Sequence, residues 1–468
     1  MAGLDRALLS WVLAATISLP VSGATPRYVI RAEADLSSLA IELRSDEPFS
    51  RLVLEDERGW RYLGNAADCE QPQNMLQQHA GIATLPAASR CLRYRFAIRA
   101  EETSATRGRR RSFSLPENLR QLAPDDFLLR IAGSSGRAQV RIVLPEGMQV
   151  SVPWRPVDGS DQFLIEPSAQ SSRAIMLLGR FEQRDLRIGD TTLRVAIAAQ
   201  ANAARWSTYR PWLAGAAAPV VAAGHGLGGN DLQVVIVPID IDGAGAVPFG
   251  HVIRNGGESL RFFVNGAATL AQLRGDWTAS HEFSHLLLPH LSSGARWISE
   301  GFASYYQNIF MFRSGGYDEA TAWRKLLEGF NRARPLKDMP IAAASAGRRG
   351  GRMLVYWLGA AFALQADVAL RRRSDGRESL DSVLAQLREC CLPAANSWSG
   401  EQLTSRLDEL SKTQIFSRLY RSYLRDSDIS QVDPVLDELG VSIASGRTLL
   451  DAGAVLAPLR TAILQGSQ

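Results

Sequence analysis

The sequence predicts an α+β protein, in which a β-sandwich-like N-terminal domain precedes a small sheet and a mostly helical C-terminal part. Three observations predict it. Apolar and polar residues alternate up to about residue 200, two more strand-like segments precede residue 265, and apolar residues recur at helical spacing from residue 276 onward. We therefore divide the chain into a β-rich domain (24–200), a central domain (201–390) and a helical C-terminal region (391–468).

Residues 1–23 have the composition of a secretory signal peptide. Arg6 precedes the apolar run from Ala7 to Leu19, and small residues follow it. The run is short for a membrane span of about 20 residues, and no later uninterrupted apolar stretch reaches that length. We expect cleavage after Gly23 or Ala24. The mature protein should then be exported to the periplasm or the extracellular space, with no stable membrane span.

Most of the strand signals lie in the first 240 residues. Gln139–Leu144 and Thr192–Ile197 alternate apolar and polar residues, as half-buried strands do. The Ala- and Gly-rich stretch 201–230 ends in Gly224–Gly229, which matches GxGxxG by letter. A dinucleotide site needs a strand before this motif and a helix after it, whereas the following residues 232–241 are strand-like. We therefore predict a loop there and no nucleotide.

The second half of the chain contains two more strand signals, followed by the helix signals. The strand-like segments are Val234–Val237 and Leu260–Val264. Asp276 is placed to cap a helix that ends near Leu288, because Pro289 disfavours continuation. The remaining predicted helices begin near Ile298, span Asp318–Ala333 and Met353–Arg373, and occupy most of the chain from Ser379 onward.

The first of these helices contains the sequence His281-Glu282-Phe283-Ser284-His285, an HExxH motif. The chain has six histidines, and two of them lie four residues apart around a glutamate. On a helix, these two imidazoles share one face and can bind one metal ion. Zn²⁺ takes nitrogen and carboxylate ligands and keeps one position open in catalytic sites. The motif therefore predicts a zinc site with His281 and His285 as ligands.

A third ligand is needed to complete such a site. Glu300 is the best candidate, because a short loop can fold the helix near Ile298 back alongside the first one. His290 is the competing ligand, just beyond the helix-ending proline. Glu282 would act as general base on water and then carry the proton to the leaving amine. The alternative is a surface helix with two ordinary histidines.

These residues, together with Trp297-Ile298-Ser299-Glu300-Gly301-Phe302-Ala303, resemble the gluzincin zinc metallopeptidases, which have a thermolysin-like catalytic domain. Tyr356-Trp357-Leu358-Gly359-Ala360 and the segment 370–381 make the chain similar to the glycyl aminopeptidase-like family. The resemblance covers roughly residues 231–445. Only fourteen residues lie between His285 and Glu300, fewer than in many gluzincins, so the connecting loop must be tight.

The resemblance implies further roles and a function. Tyr356 would stabilise the tetrahedral oxyanion, and a buried core tyrosine is the alternative. Gly256, Gly257 and Glu258 occupy the place of the family's substrate-binding strand, where Glu258 would bind a free amino group. The implied function is an exported zinc aminopeptidase that acts on peptides with small N-terminal residues. The alternatives are a zinc endopeptidase and a non-catalytic binding protein on a peptidase fold.

Charge and cysteines add two expectations. The net charge is +4, but the basic residues are scattered and their clusters, Arg107–Arg111 and Arg371–Arg373, are short, so we expect no nucleic-acid partner. Export permits disulfides, and Cys69 and Cys91 are the favoured pair because they share the N-terminal region. The state of the adjacent Cys390 and Cys391 is left open.

Overall fold

The computed structural model describes residues 25–466 except 80, 99–114, 117, 135–136, 158–160, 167–172, 200–202, 230, 241–242, 244, 255 and 395. The predicted signal peptide and the Arg107–Arg111 cluster lie outside the described residues. The structure therefore does not test what we predict for these two segments.

The N-terminal region is built almost entirely from strands. Its elements are β1 (Arg27–Ala32), β2 (Ser38–Val53), β3 (Ala67–Asp68), β4 (Gln77–His79), β5 (Ile82–Ala97), β6 (Leu119–Leu122), α1 (Pro124–Phe127), β7 (Arg130–Ile131), β8 (Ala138–Val143), β9 (Gln149–Ser151), β10 (Arg155–Pro156), β11 (Gln162–Ile165) and β12 (Met176–Gly179). The large sheet follows the order β10-β11-β8-β1-β2-β5-β3, with β4 on β5 and β7 on β2; a short sheet has the order β6-β12-β9.

The short sheet lies between two cores. Met176 and Leu178 pack with the apolar side chains of the large sheet, which makes the N-terminal region the predicted β-sandwich. Leu177, on the opposite face of the same strand, packs with residues that come after position 195. Because successive side chains of a strand point to opposite faces, β12 contributes to both cores at once. This arrangement joins the sandwich to the remainder of the protein.

A third sheet carries the central domain. Its elements are β13 (Glu182–Ile188), β14 (Thr191–Ile197), α2 (Ala203–Gly224), β15 (Asp231–Ile239), β16 (Phe249–Ile253) and β17 (Ser259–Asn265), and the strand order is β13-β14-β15-β17-β16. β14 pairs with β15 in parallel, from Thr192 opposite Asp231 to Ile197 opposite Ile236. The sheet therefore continues across the domain boundary that we predict at residue 200. The boundary misplaces β13 and β14, because a sequence pattern shows strands but not their partners.

The Ala-rich stretch after residue 200 differs from the prediction. It forms α2, which contains Pro211 and Pro219 and buries Tyr209 and Trp212 in the main core. A parallel strand pair needs a crossover connection, and α2 supplies it between β14 and β15. The predicted loop begins where α2 ends, at Gly224. Because proline is disfavoured in the interior of a helix, these two prolines argue against a helix when only the sequence is considered.

The rest of the described chain is mainly helical, as predicted. Its elements are α3 (Leu270–Arg274), α4 (Thr278–Ser284), α5 (Arg296–Arg313), α6 (Glu319–Ala333), α7 (Ile341–Ser345), α8 (Arg352–Arg373), α9 (Leu380–Cys391), α10 (Gly400–Ser411), α11 (Ile415–Arg425), α12 (Asp433–Leu439), the hairpin β18 (Val441–Ala444) and β19 (Arg447–Leu450), and α13 (Ala457–Gln465). The predicted boundary at residue 390 falls in the last turn of α9, so it does not separate two elements.

Helices α5 and α8 cross at very short distance. A Cβ atom added to Gly301 would lie 2.2 Å from the Cα of Gly359, and one added to Gly359 would lie 2.0 Å from the carbonyl oxygen of Trp297. Only glycine permits such a contact. Of the described helices, α8 is long and apolar enough to cross a membrane by length and composition, but 78% of its most apolar window is buried within the protein.

Two disulfides and two ion pairs of the second basic cluster are present among the described residues. Cys69 and Cys91 form the expected disulfide, and Cys390 and Cys391 are also bridged. Of the basic cluster at the end of α8, Arg371 is ion-paired with Asp367 and Arg372 with Glu438.

Candidate active site

The HExxH motif lies on α4 and on the 3₁₀ turn that follows it. α4 ends at Ser284, and a 3₁₀ turn over His285–Leu287 continues it. Asp276 accepts a hydrogen bond from the Thr278 amide (2.9 Å), which satisfies one of the free amides at the start of α4. The two imidazole rings stand edge to face, with their centroids 4.9 Å apart. Both histidines are buried, at 4% and 7% exposure.

The N-terminal turn of α5 brings Glu300 to the same point. Its Oε2 atom lies 3.5 Å from Nε2 of His281 and 3.6 Å from Nε2 of His285. A tetrahedral zinc ion with bonds of about 2.1 Å separates its ligand atoms by about 3.4 Å. The three side chains therefore have the donor types and the spacing of a zinc site, and they form a group that could hold a metal ion.

Two further side chains of α5 orient the imidazoles. Nδ1 of His281 lies 2.8 Å from Oε1 of Gln307, and Nδ1 of His285 lies 3.1 Å from Oγ of Ser299. These contacts hold the Nδ1 side of each ring and direct Nε2 toward Glu300. α5 thus supplies one candidate ligand and the partners of the other two. Gln307 lies two helical turns after Glu300 and therefore on the same face of α5, but this spacing alone does not distinguish it from other residues of that face.

The protonation of two of the three groups, His285 and Glu300, suits a metal ligand set, whereas burial lowers the pKa of His281 but its hydrogen bond to Glu300 and the charges of Glu282 and Glu300 outweigh burial and raise it. Burial lowers the pKa of His285 to about 3, so this imidazole is neutral. Burial raises the pKa of Glu300, but the hydrogen bond to His281 and the positive charges of His281 and Arg296 outweigh it and bring the pKa to about 2. Neutral imidazole and ionised carboxylate are the forms that bind zinc.

Glu282 projects from α4 toward β16, the free edge strand of the third sheet. The Val252 amide of β16 donates to its carboxylate, and a Cβ atom on Gly250 would lie 2.7 Å from its Cγ. Burial raises the pKa of Glu282 to about 7, although His281 and Arg254 act in the opposite direction. A carboxyl group with this pKa can both accept and return a proton near neutral pH.

Tyr356, on α8, lies beside the candidate metal ligand His281. Its ring stacks on that of His281 with centroids 5.9 Å apart, and the Arg352 guanidinium lies 5.5 Å from the Tyr356 ring centroid. Burial and the Glu300 charge raise the pKa of Tyr356 to about 12. The hydroxyl is therefore protonated and can donate a hydrogen bond. The ring lies next to a candidate metal ligand, and the role of Tyr356 in stabilising an oxyanion stays a prediction.

The predicted substrate segment lies at the tip of the β16–β17 hairpin. The Gly256 carbonyl accepts from the Trp154 indole (2.9 Å), and a Cβ on Gly257 would meet Pro153. The Glu258 carboxylate accepts from the Gly229 amide (3.2 Å) and is close enough to Arg254 for that charge to lower its pKa against the effect of burial. These contacts pack the segment on the protein itself, so the role of Glu258 in binding an amino group stays a prediction.

The structure also brings together two separate glycine-rich motifs. A Cβ on Gly228 would overlap the Glu258 carboxylate, at 1.8 Å from Oε2. The glycine in the GxGxxG-like loop therefore makes room for a carboxylate and not for a phosphate. His290 lies outside the group of three candidate ligands; its carbonyl accepts from the Trp398 amide (2.8 Å).

Comparison with known proteins shows the fold. No family model and no curated protein matches the sequence. Among solved structures, an aminopeptidase N family protein from Idiomarina loihiensis is similar with a TM-score of 0.65 and 14% identity, over 89% of this chain and 78% of that one. An M1 zinc metallopeptidase from Deinococcus radiodurans has a TM-score of 0.50 and 16% identity, over 86% and 93%. A variant of it bound to a Tyr-Ser-Ala substrate has a TM-score of 0.51.

At such identities the likeness establishes the architecture alone: an N-terminal sheet domain, followed by a mixed α/β and helical part, as in these structures.

Proposed function

We propose that this protein is an exported zinc-dependent peptidase, and that it acts as an aminopeptidase. The observation that carries the proposal is the approach of both histidine Nε2 atoms to one oxygen of Glu300, at 3.5 and 3.6 Å, beside Glu282. Among the solved structures of similar fold, one is an aminopeptidase N family protein and another is an M1 zinc metallopeptidase, a variant of which holds a Tyr-Ser-Ala substrate.

The ligand set gives each residue a place in amide hydrolysis. When bound by His281, His285 and Glu300, a zinc ion would polarise the scissile carbonyl and acidify water. Glu282 accepts the proton from the attacking water and returns it to the leaving amine. Tyr356 donates a hydrogen bond to the oxygen that becomes negative. The free edge of β16 has unpaired backbone groups, which can bind an extended peptide beside these residues.

Cleavage next to the N-terminus, and not within the peptide, requires a side chain that binds the free amino group of the substrate. Glu258 is the predicted anchor, and a preference for small first residues stays a prediction. An endopeptidase is the second candidate, favoured by the contacts of Glu258 with Gly229 and Arg254, which leave this carboxylate already partnered. A non-catalytic binding protein is disfavoured, because it has no use for Glu282 between two metal ligands.

Mass spectrometry of a mixed peptide pool after incubation with zinc-loaded protein tests the proposal. We expect stepwise loss of N-terminal residues, and no cleavage by the Glu282→Gln variant, which keeps the ligands. Internal cuts that depend on Glu282 would favour the endopeptidase. No cleavage by zinc-loaded, folded protein would overturn the peptidase proposal.

Export has a separate test. The protein expressed from its full gene should be recovered outside the cytoplasm, with its first residue at position 24 or 25 by N-terminal sequencing. Recovery of the uncleaved chain in the cytoplasm would contradict export without affecting the peptidase proposal.

A further inference from the structure

Arg261, on β17, is a buried cation without an anion. The residue is 6% exposed, and its Nε atom is buried without a hydrogen-bond partner. Burial lowers its pKa to about 10, and no neighbouring charge contributes. Among the described residues it has no ion pair, in contrast to Arg371, which is equally buried but bonded to Asp367. A buried charge of this kind destabilises a protein unless a partner arrives from outside.

Arg261 has aromatic neighbours on β16 and β17 and an imidazole opposite it. β16 pairs with β17 so that His251 stands opposite Arg261 and Phe249 opposite Phe263. The Arg261 guanidinium lies 5.2 Å from the centroid of the Phe263 ring, and His251 stacks on Phe249 with centroids 6.2 Å apart. The two aromatic rings cover one side, whereas His251 is exposed on the free edge strand. A ligand that enters past His251 therefore meets an imidazole and then a guanidinium.

This group adjoins the candidate active site on the opposite face of the same strand. Gly250 and Val252 face Glu282, whereas His251, between them, faces Arg261. Desolvation of the imidazole ring by the surrounding protein and the charge of Arg261 lower the pKa of His251, while the Glu300 carboxylate acts in the opposite direction, so charges of both centres act on this ring. An extended peptide along the free edge of β16 directs its side chains alternately to these two faces.

The two faces differ in their surroundings. On the Glu282 face a Cβ atom on Gly250 would lie 2.7 Å from Glu282 and 2.8 Å from Thr278, so α4 packs directly on this face of β16, and the small first residue is carried over from the proposed function. On the other face, a guanidinium without a carboxylate and an exposed imidazole offer hydrogen-bond donors. A carboxylate fits them, because guanidinium–carboxylate hydrogen bonds are strong and directional.

We propose that Arg261 and His251 form a carboxylate-binding subsite, and that the protein cleaves peptides in which a small first residue is followed by aspartate or glutamate. This inference rests on the proposed peptidase function. It names the substrate class that the metal centre alone does not select.

The test compares two peptide amides, Ala-Asp-Ala-Phe-amide and Ala-Asn-Ala-Phe-amide. They differ only in the side chain of the second residue, which is a carboxylate in the first and a neutral amide in the second. The C-terminal amide removes the only other carboxylate. With zinc-loaded protein we expect kcat/KM to be roughly tenfold or more higher for the aspartate peptide, the value of one charge-assisted hydrogen bond, and we expect the difference to lie in KM. In Arg261→Met this ratio should fall toward one, and Arg261→Lys should retain part of it.

Controls separate binding from folding. Because Arg261 is an unpaired buried charge, Arg261→Met should melt at a temperature equal to or higher than that of the parent protein. Arg187→Met, at an exposed position on β13 at the far edge of the same sheet, should leave the aspartate-to-asparagine ratio unchanged.

The outcomes also distinguish the two proposals. Equal cleavage of both peptides would overturn the subsite and leave the peptidase intact. If neither peptide is cleaved, the mixed peptide pool decides the peptidase proposal, and calorimetry with the Glu282→Gln protein decides the subsite: tighter binding of the aspartate peptide supports it, and equal or no binding overturns it.

Discussion

The pKa of Glu282 is set by opposing effects of burial and of neighbouring groups. Burial raises its pKa to about 7, while the charges of His281 and Arg254 and the Val252 amide favour the ionised form. A general base acts only when deprotonated, so activity is lost as pH falls through this pKa. A bound cation favours the carboxylate and moves the transition to lower pH.

The corresponding prediction concerns the pH profile. We expect kcat/KM of the zinc-loaded protein to fall on the acid side with a midpoint at pH 7 or below. Zinc content measured at each pH separates titration of Glu282 from loss of the metal. A flat profile between pH 5 and pH 8 with zinc retained would contradict the role of Glu282.

The contact of Gln307 with His281 has a measurable consequence. Replacing Gln307 by Leu removes the partner of Nδ1, which frees the ring to rotate away from Glu300. We expect zinc affinity to fall by about 10–100-fold, as for other side chains that orient metal ligands. Competition with a chromogenic chelator measures it, and Gln73→Leu, at an exposed position, is the control. Unchanged affinity in Gln307→Leu would show that packing alone holds the His281 ring.

At the scale of elements, α5 is positioned by its crossing with α8. Gly301 follows the candidate ligand Glu300 directly, and its Cα lies against Gly359 of α8. An added methyl group must push the two helices apart, and this movement also shifts Glu300 and the partners of both histidines. Since Tyr356 lies on α8, the same crossing sets its distance from the metal ligands.

We therefore expect Gly301→Ala to reduce the free energy of unfolding by about 1–3 kcal/mol, as overpacking does, and to weaken zinc binding. Chemical denaturation with and without zinc measures both. Gly215→Ala is the control: nothing lies within 4 Å of its added Cβ, and alanine in the middle of α2 should stabilise the protein by roughly 0.5–1 kcal/mol. If Gly301→Ala binds zinc normally, the helix crossing does not position Glu300.

The candidate ligands could be predicted from the sequence, whereas the arrangement around them could not. HExxH fixes two ligands because helical geometry is local, and Glu300 follows within one short loop. Gln307 and Ser299 depend on how α5 rotates against α4, which no local pattern specifies. The predicted strands β8, β14, β15 and β17 are all present, but their partners are not local either, and the boundary at residue 200 failed for that reason. The unpaired charge of Arg261 becomes visible only when β16 and β17 are in register.

At the scale of the whole molecule, the N-terminal region is part of the scaffold of the site. The short sheet packs Leu177 against Val235, Val237 and Phe263 of the third sheet. Gln233 of β15 is hydrogen-bonded to both Ser151 and Ser259, and Trp154 holds the hairpin that contains Glu258 through the Gly256 carbonyl. The β16–β17 hairpin, which faces Glu282, therefore rests on the sandwich domain.

Truncation should show that these layers fold together. A chain that begins at residue 201 lacks β13 and β14, so β15 loses its parallel partner and becomes an exposed edge. A chain that begins at residue 181 keeps all five strands but exposes the apolar face that Leu177 and Ile175 cover. We expect the first to remain unfolded, and the second to aggregate or to bind zinc more weakly than the chain from residue 25. Circular dichroism, light scattering and zinc titration of the three chains measure this. A monomeric, zinc-binding and active chain from residue 181 would show that the β-sandwich is an independent module, and its role would then have to be sought in binding another molecule.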